Sequence, residues 1–248
     1  MADLTGRVVL VTGASSGIGL AAAEALAQRG LKVIACARNI QKIQDANKNL
    51  ASNPIQAVKT DMTSEQEVLA LFKEINDKYG RLDILINNAG IGGTDTLLEG
   101  NFAGWKAMTD LNVLALTLAA REAVKLIEAG KSQYGHIINI NSVVGHKVTT
   151  GTAGHFYSAT KHMVTALTEG LRKSAQPKNI RVTSISPGVV QTDFFERAFG
   201  KNVGESIFSA YKCLEPRDIA DAIIYVLGVP AHVNIDELTI TPLKQHAL

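Results

Sequence analysis

The sequence predicts an α/β fold: a three-layer domain in which a doubly wound parallel sheet of about seven strands lies between two layers of helices. Its 248 residues are 46% hydrophobic, which is enough for one large core. Short apolar runs alternate with longer stretches of helical period. The runs VVLV, DILI and HIINI are apolar without a period of two, which is typical of parallel strands buried on both faces.

Seven apolar runs are candidate strands, and one stretch of helical period separates each consecutive pair. The candidate strands span residues 8–12, 32–37, 55–59, 84–87, 136–140, 181–186 and 237–240. The candidate helices span about 18–29, 40–51, 64–79, 104–129, 156–174 and 218–227. This strict alternation indicates βαβ units, and therefore a parallel sheet with helices on both faces.

The third of these helices has boundary signals of its own. Thr63 and Ser64 precede Gln66 and Glu67 by three residues, the spacing of a capping box, and Gly80 follows the pattern. A helix is therefore expected to begin at this point and to end near Gly80.

The chain is expected to form one domain over residues 1–248, because it has no internal repeat, low-complexity tract or linker. The longest stretch without a clear core strand is 191–214, and it is rich in aromatic residues. An insertion of this kind in a compact α/β domain is usually functional, and we expect it to be a substrate lid.

Composition excludes several classes of function and location. Lys and Arg number 25 against 23 Asp and Glu, and a net charge of +2 argues against binding to nucleic acid or acidic lipid. The apolar run at residues 8–11 is too short for a signal peptide or a membrane span. The two cysteines, Cys36 and Cys213, are far apart, which favours a reducing compartment. We expect a cytoplasmic protein.

A glycine-rich turn follows the first candidate strand and opens the first helix. Such a turn can bring backbone N–H groups against a pyrophosphate at the helix N-terminus, so it predicts a Rossmann-type dinucleotide site. The GxxxGxG spacing departs from GxGxxG, and no Lys-Ser or Lys-Thr follows as in a P-loop. A turn that serves packing alone remains the alternative. The candidate cofactor-binding residues are Gly13, Ser15, Ser16, Gly17, Ile18 and Gly19.

The end of the second strand indicates which dinucleotide is bound. At this place an acidic residue favours NAD and an arginine accommodates the 2′-phosphate of NADP. The strand ends in Ala37 and Arg38, followed by Asn39, so NADP(H) is favoured over NAD(H). A solvated surface arginine is the alternative. Asp61, next to Met62 after the third strand, either contacts adenine or starts the turn before Thr63.

Tyr157 and Lys161 are four residues apart on a candidate helix, so they project from one face about one turn apart. A nearby ammonium can lower the pKa of a phenol, which makes tyrosine a better acid–base group near neutral pH. Taken alone, the pair also fits the rim of an ordinary amphipathic helix.

These elements are joined by others in a fixed order along essentially the whole chain. The series resembles that of the short-chain dehydrogenase/reductase family, although fifteen residues separate Ser142 from Tyr157, slightly more than is usual there. The series comprises Thr12-Gly13-x-x-x-Gly17-x-Gly19, Asn87-Asn88-Ala89-Gly90, Asn112, Ser142, Tyr157-x-x-x-Lys161 and Pro187-Gly188.

The resemblance implies roles for the four candidate catalytic residues. Tyr157 is the general acid in ketone reduction and the base in alcohol oxidation, and Ser142 hydrogen-bonds the substrate oxygen. Lys161 holds the nicotinamide ribose and lowers the pKa of Tyr157. Asn112 anchors a water that relays the proton.

The resemblance also implies further contacts. Asn88 contacts the cofactor or ties the fourth strand to its neighbours, and Thr192 contacts the nicotinamide carboxamide. The expected substrate contacts are Ser142, Tyr157, Phe194 and Phe195. Alternatively, the two phenylalanines only pack the lid segment against the rest of the domain. The remaining cofactor contacts are Ala89, Gly90, Pro187, Gly188 and Val190, besides Tyr157 and Lys161. The histidines show no metal-binding spacing, so no metal is expected.

Within the family, segments such as GLKVIACARN and HFYSATKHMVTALTEGLR look like the dehydrogenase/reductase member 11 group and its insect farnesol-dehydrogenase-like relatives. This likeness implies an NADP(H)-dependent carbonyl reductase or alcohol dehydrogenase acting on an apolar isoprenoid alcohol, ketosteroid or diketone. It also implies a homodimer or homotetramer built on the long helices. The alternatives are a ketoacyl-thioester reductase of the same family and a catalytically silent, cofactor-bound scaffold.

Overall fold

The computed structural model describes residues 3–50, 52–94, 96–130, 132, 134–150 and 154–245. Within these residues, seven strands form one parallel sheet in the order β3-β2-β1-β4-β5-β6-β7. The strands are β1 (Val8–Thr12), β2 (Lys32–Ala37), β3 (Gln56–Lys59), β4 (Ile84–Asn87), β5 (Gly135–Ile140), β6 (Ile180–Pro187) and β7 (Glu237–Ile240). The predicted doubly wound, three-layer Rossmann-type sheet is confirmed.

Helices cover both faces of the sheet. They are α1 (Gly17–Gln28), α2 (Gln41–Ala46), α3 (Glu65–Tyr79), α4 (Phe102–Thr109), α5 (Leu116–Ala129), α6 (His155–Ala175), α7 (Asp193–Phe199), α8 (Lys201–Ala210) and α9 (Pro216–Gly228). One apolar cluster joins the sheet to α1 and α9, and a second joins its other face to α3 and α5. No helix in the described ranges is long and apolar enough to cross a membrane.

The strand order reverses between β1 and β4. From β1 the chain winds outward through β2 to β3, and from β4 it winds the other way to β7. The connections leave these two adjacent strands in opposite directions, which opens a crevice at their carboxyl ends. The glycine turn and the NNAG motif follow these two strands directly.

The predicted cap of α3 is present in part. Ser64 accepts a hydrogen bond from the Glu67 amide at 3.3 Å, and Gly80 ends the helix in the left-handed region at φ +64°. The carboxylate of Glu67, however, accepts from the Asp61 amide at 2.8 Å, so it braces the preceding turn instead of closing a reciprocal capping box.

The helix predicted over 104–129 is not continuous. A six-residue π-helical stretch, Asp110–Ala115, separates α4 from α5. Extra residues of this kind inside helices often mark functional sites, because they redirect a side chain out of the regular helical register. Asn112 lies in this stretch.

The lid segment predicted at 191–214 contains α7 and α8. Its two ends are joined by a parallel bridge between Val190 and Leu214, with Gln191 donating to the Leu214 carbonyl at 2.8 Å and Leu214 to the Val189 carbonyl at 3.1 Å. The segment therefore leaves and re-enters the domain at one closed neck.

Candidate active site

A cleft of about 760 Å³ lies at the carboxyl edge of the sheet. All of the predicted site residues line it except Gly19 and Asn112, which lie buried behind its wall. Residues that the sequence places in separate motifs are therefore brought to one site, as expected for the crevice of a doubly wound sheet.

The glycine turn needs its glycines for two different reasons. Gly13 has φ +67°, and a Cβ on it would lie 2.7 Å from Cα of Ala89. A Cβ on Gly19 would lie 2.4 Å from Nδ2 of Asn88 and 2.7 Å from the Gly13 carbonyl oxygen. Gly19 therefore permits the close approach of α1 to the turn, and its part in the site is steric rather than direct contact.

Asn88 ties this turn to the end of β4. Its side-chain amide donates to the carbonyls of Thr12 at 2.9 Å and Gly13 at 3.1 Å. In return, the Thr12 hydroxyl accepts from the amides of Asn88 and Ala89, both at 3.1 Å. The structural role expected for Asn88 is therefore present, and its contact with a cofactor remains a prediction.

The open turn fits a dinucleotide. Ser16 precedes the first residue of α1 and makes no side-chain capping bond to the first-turn amides, which leaves the positive end of the helix to a bound anion. The turn also lies against the end of β2, since the Ala14 amide donates to the Cys36 carbonyl at 3.1 Å. Arg38, the residue after β2, is exposed on the cleft wall.

Asp61 is used within its own turn. Its carboxylate accepts from the amide and the hydroxyl of Thr63, at 2.9 and 2.7 Å. These bonds, together with a smaller contribution from the charge of Arg38, hold the pKa of Asp61 below its usual value. Of its two expected roles, starting the turn is the one that these contacts produce.

The catalytic candidates converge from two elements. Ser142 follows β5 and accepts from the Val144 amide at 3.3 Å at the start of a short 3₁₀ turn, Val143–Gly145. Tyr157 and Lys161 lie in the first two turns of α6, with the Lys161 ammonium 5.8 Å from the centre of the Tyr157 ring. The side chain of Ser142 lies next to the Tyr157 phenol.

Burial governs the titration of this pair. It raises the pKa of Tyr157 well above the ordinary phenol value, and the hydrogen bond with Ser142 acts in the opposite direction. Burial also lowers the pKa of Lys161 to about 8. The expected lowering of the Tyr157 pKa by Lys161 is not what these surroundings produce, because desolvation is the dominant effect on both groups.

The side chain of Asn112 is hydrogen-bonded to two other parts of the chain. Its side-chain oxygen accepts from the Ile91 amide at 2.9 Å, and its amide donates to the Ile91 carbonyl at 2.8 Å and to the Thr160 hydroxyl at 3.1 Å. The side chain therefore braces the loop after β4 against α6. Both amide hydrogens of Asn112 are used in these bonds, and its role in anchoring a proton-relay water remains a prediction.

Phe194 of α7 lies against Tyr157. Its ring centre lies 5.5 Å from that of Tyr157 and 5.8 Å from that of Phe195, which also contacts Phe208 at 6.0 Å. Phe194 and Phe195 both line the cleft. Phe195 therefore packs within the lid segment and lines the cleft, and its contact with a substrate remains a prediction.

Two contacts in the site have no local sequence signal. The side-chain oxygen of Gln245 accepts from the Val189 amide at 2.9 Å, and a Cβ on Gly188 would lie 2.2 Å from it. On the other wall, Arg197 of α7 donates to the Ser16 hydroxyl at 3.3 Å. Each contact joins residues far apart in the chain, so no spacing or periodicity announces it.

Comparison with known proteins agrees with this geometry. The family model described as short chain dehydrogenase matches residues 7–202. Dehydrogenase/reductase SDR family member 11 of Bos taurus is 45% identical over 247 residues, covering 96% of this chain and 97% of that protein. Farnesol dehydrogenase of Aedes aegypti is 40% identical over 246 residues, covering 97% of each.

Solved structures show the same architecture. The closed form of serine dehydrogenase complexed with NADP+ superposes with a TM-score of 0.88 at 30% identity, covering 97% of this chain and 96% of that one. A metagenomic short-chain oxidoreductase in complex with NADP superposes with a TM-score of 0.82 at 27% identity, covering 98% and 100%.

Proposed function

Because this chain belongs to the short-chain dehydrogenase/reductase family, we propose that it interconverts a ketone or aldehyde and the corresponding alcohol with NADP(H), on an apolar substrate. The observation that carries the proposal is that Ser142, Tyr157 and Lys161 line one cleft together with the glycine turn. An isoprenoid alcohol such as farnesol, a ketosteroid or a diketone is the substrate class.

In the reductive direction Tyr157 donates its phenolic proton to the oxygen of the substrate. The raised pKa of Tyr157 supports this role, because the phenol stays protonated at neutral pH. Ser142 holds the same oxygen by a hydrogen bond as negative charge develops on it. In the oxidative direction Tyr157 accepts the proton, with the Lys161 ammonium 5.8 Å from the centre of its ring.

The cofactor, when bound, supplies or accepts the hydride. The first turn of α1 would hold its pyrophosphate and Arg38 its 2′-phosphate, with Asp61 and Met62 beside the adenine. Asn88, Ala89, Gly90, Pro187, Gly188, Val190 and Thr192 would line the rest of its path. The NADP-bound structures at 30% and 27% identity support this assignment.

The substrate end of the cleft favours an apolar ligand. Phe194 and Phe195 line it from α7, and Ile91 and Leu111 line the same cleft. Such walls bind apolar groups by removing their surface from water. The farnesol dehydrogenase of Aedes aegypti, 40% identical to this chain, supports an isoprenoid alcohol as one candidate.

We further propose a cytoplasmic homodimer or homotetramer. The free, buried thiols of Cys36 and Cys213 suit a reducing compartment. Leu114 beside α5 and Met163 on α6 are 59% and 46% exposed, and self-association on these helices would bury them. Light scattering of the purified chain measures the assembly.

The function is tested by following NADPH consumption with farnesal, a ketosteroid and a diketone, and NADP+ reduction with farnesol. A ketoacyl thioester is included as the competing substrate class. Tyr157→Phe keeps the ring against Phe194 but removes the proton donor, so it should lower turnover by about 10²- to 10⁴-fold. Undiminished turnover in Tyr157→Phe would contradict the assignment. Cofactor binding without turnover of any substrate would favour the silent scaffold.

A further inference from the structure

Helix α7 touches both ends of the cleft. On its apolar side, Phe194 lies against the ring of Tyr157, 5.5 Å between centres. At its start, Thr192 accepts from the Phe194 amide at 3.3 Å, and the Thr192 methyl carbon lies 3.0 Å from the position of a Cβ on Gly17. A single short helix therefore spans from the catalytic tyrosine to the glycine turn.

The polar side of α7 reaches the cofactor end through Arg197. Its guanidinium donates to the Ser16 hydroxyl at 3.3 Å and to the Asp193 carbonyl at 3.2 Å. Ser16 does not cap α1, so its hydroxyl is available for this contact. Arg197 is exposed and lines the same cleft as Arg38.

The charges around Arg197 leave it able to take an anion. Within the described part of the chain, its hydrogen bonds go to uncharged oxygens, so no carboxylate there neutralises it. Asp193, the acidic residue one helical turn earlier, pairs instead with Lys42 of α2 at 3.4 Å. That pair lays α7 beside the segment that follows β2, where Arg38 lies.

We propose that Arg197 is a lid-borne ligand for the 2′-phosphate of the cofactor, so that Arg38 from the sheet and Arg197 from the lid segment hold one phosphate between them. The inference rests on the proposed use of NADP(H). Guanidinium groups bind phosphate oxygens through paired, charge-assisted hydrogen bonds, and such a phosphate would replace the weaker contact with Ser16.

A consequence follows for the reaction. A phosphate that holds Arg197 also holds α7 across the cleft, with Phe194 against Tyr157. Closure of the substrate end of the cleft is thereby coupled to binding of the 2′-phosphate at the far end of the cofactor. A dinucleotide without the 2′-phosphate lacks this coupling.

The test measures binding by calorimetry with 2′,5′-ADP, which carries the 2′-phosphate, and with 5′-AMP, which does not. Arg197→Ala should lower the affinity for 2′,5′-ADP about tenfold and the affinity for 5′-AMP less than about twofold. Arg197→Lys, which keeps the charge but loses the paired geometry, should be intermediate. Arg29→Ala, at the opposite end of α1 and exposed, is the matched control and should change neither value.

Hydrogen exchange supplies a second measurement. In the wild type, 2′,5′-ADP should protect the backbone amides of α7, and in Arg197→Ala it should not. Unchanged 2′,5′-ADP binding in Arg197→Ala, or equal weakening of both nucleotides, would overturn the proposal while leaving NADP(H) in place. A wild type that binds both nucleotides equally well would instead contradict the proposed cofactor.

Discussion

The ammonium of Lys161 lies 5.8 Å from the centre of the Tyr157 ring and donates to the carbonyl oxygen of Ile140 at 2.9 Å. The site therefore keeps a cation in a buried position, beside one backbone acceptor and the face of one ring. Such a position is costly for folding, because a buried charge loses its hydration.

This cost should appear in the pH dependence of stability. The pKa of Lys161 is lowered to about 8, so below pH 8 the folded chain carries the full penalty. As pH rises from about 8 towards the unfolded value near 10.4, the folded chain releases its proton first and the penalty disappears. The total is about 3 kcal/mol, since one pKa unit corresponds to about 1.4 kcal/mol.

Lys161→Met removes the titrating group at similar length. The variant should therefore be stabilised relative to wild type by about 2 kcal/mol more at pH 7 than at pH 10. Urea titrations at the two pH values measure this difference in the free energy of unfolding. Lys173→Met, an exposed lysine further along the same helix, controls for the loss of a lysine. If the free energy of unfolding of Lys161→Met differs from that of wild type by the same amount at pH 7 and pH 10, Lys161 carries no burial penalty.

Arg38→Ala should discriminate between the two dinucleotides. Loss of a charge-assisted contact to the 2′-phosphate is worth about 1.5 to 3 kcal/mol, so KM for NADPH should rise far more than KM for NADH. Steady-state kinetics with both cofactors measures this. Equal effects on both would mean that Arg38 is only a surface residue.

Asn88→Ala should weaken the binding of NADPH and of NADH by similar amounts. The variant loses the donors to the Thr12 and Gly13 carbonyls, which shape the glycine turn, and we expect a loss of stability of about 1 to 2 kcal/mol. Asn88→Asp, equal in size but without the N–H donors, should be at least as damaging in thermal unfolding. Wild-type stability in Asn88→Asp would rule out these hydrogen bonds as the cause.

Phe194→Ala should alter substrate preference. Removal of a ring that covers Tyr157 deletes apolar surface worth about 1.5 to 3 kcal/mol, so kcat/KM should fall for farnesal and much less for propanal. It should also admit water to Tyr157 and bring the pKa of the phenol down, which moves the pH profile. Phe102→Ala, 77% exposed on α4, is the control, and equal losses on both aldehydes would contradict the lid role.

The sequence predicted those features that local patterns encode. All seven strands were found because continuous apolar runs are visible residue by residue, and the glycine turn because its backbone geometry demands a particular residue type. The spacing of Tyr157 and Lys161 indicated their proximity. It could not indicate their burial, which depends on Phe194 and other residues far away in the chain.

The π-helical stretch shows the same limit. Residues 104–129 have an uninterrupted helical pattern, and nothing in this pattern indicates that one turn contains the extra residue of a π-helix. The bonds of Asn112 to Ile91 and Thr160 connect the stretch to two other parts of the chain. Gln245 on the Val189 amide is likewise a tertiary contact, and a single polar residue near the end of a sequence predicts nothing about its partner.

The closed neck between Val190 and Leu214 has an implication for how relatives of this chain diverge. Because the two ends of the segment bond to each other, the residues between them can change in length or chemistry with little effect on strand register. Under the proposed function, substrate range can then change through this one segment while the rest of the domain stays the same. We expect that grafting the corresponding segment from a relative between these two residues changes substrate preference in one step.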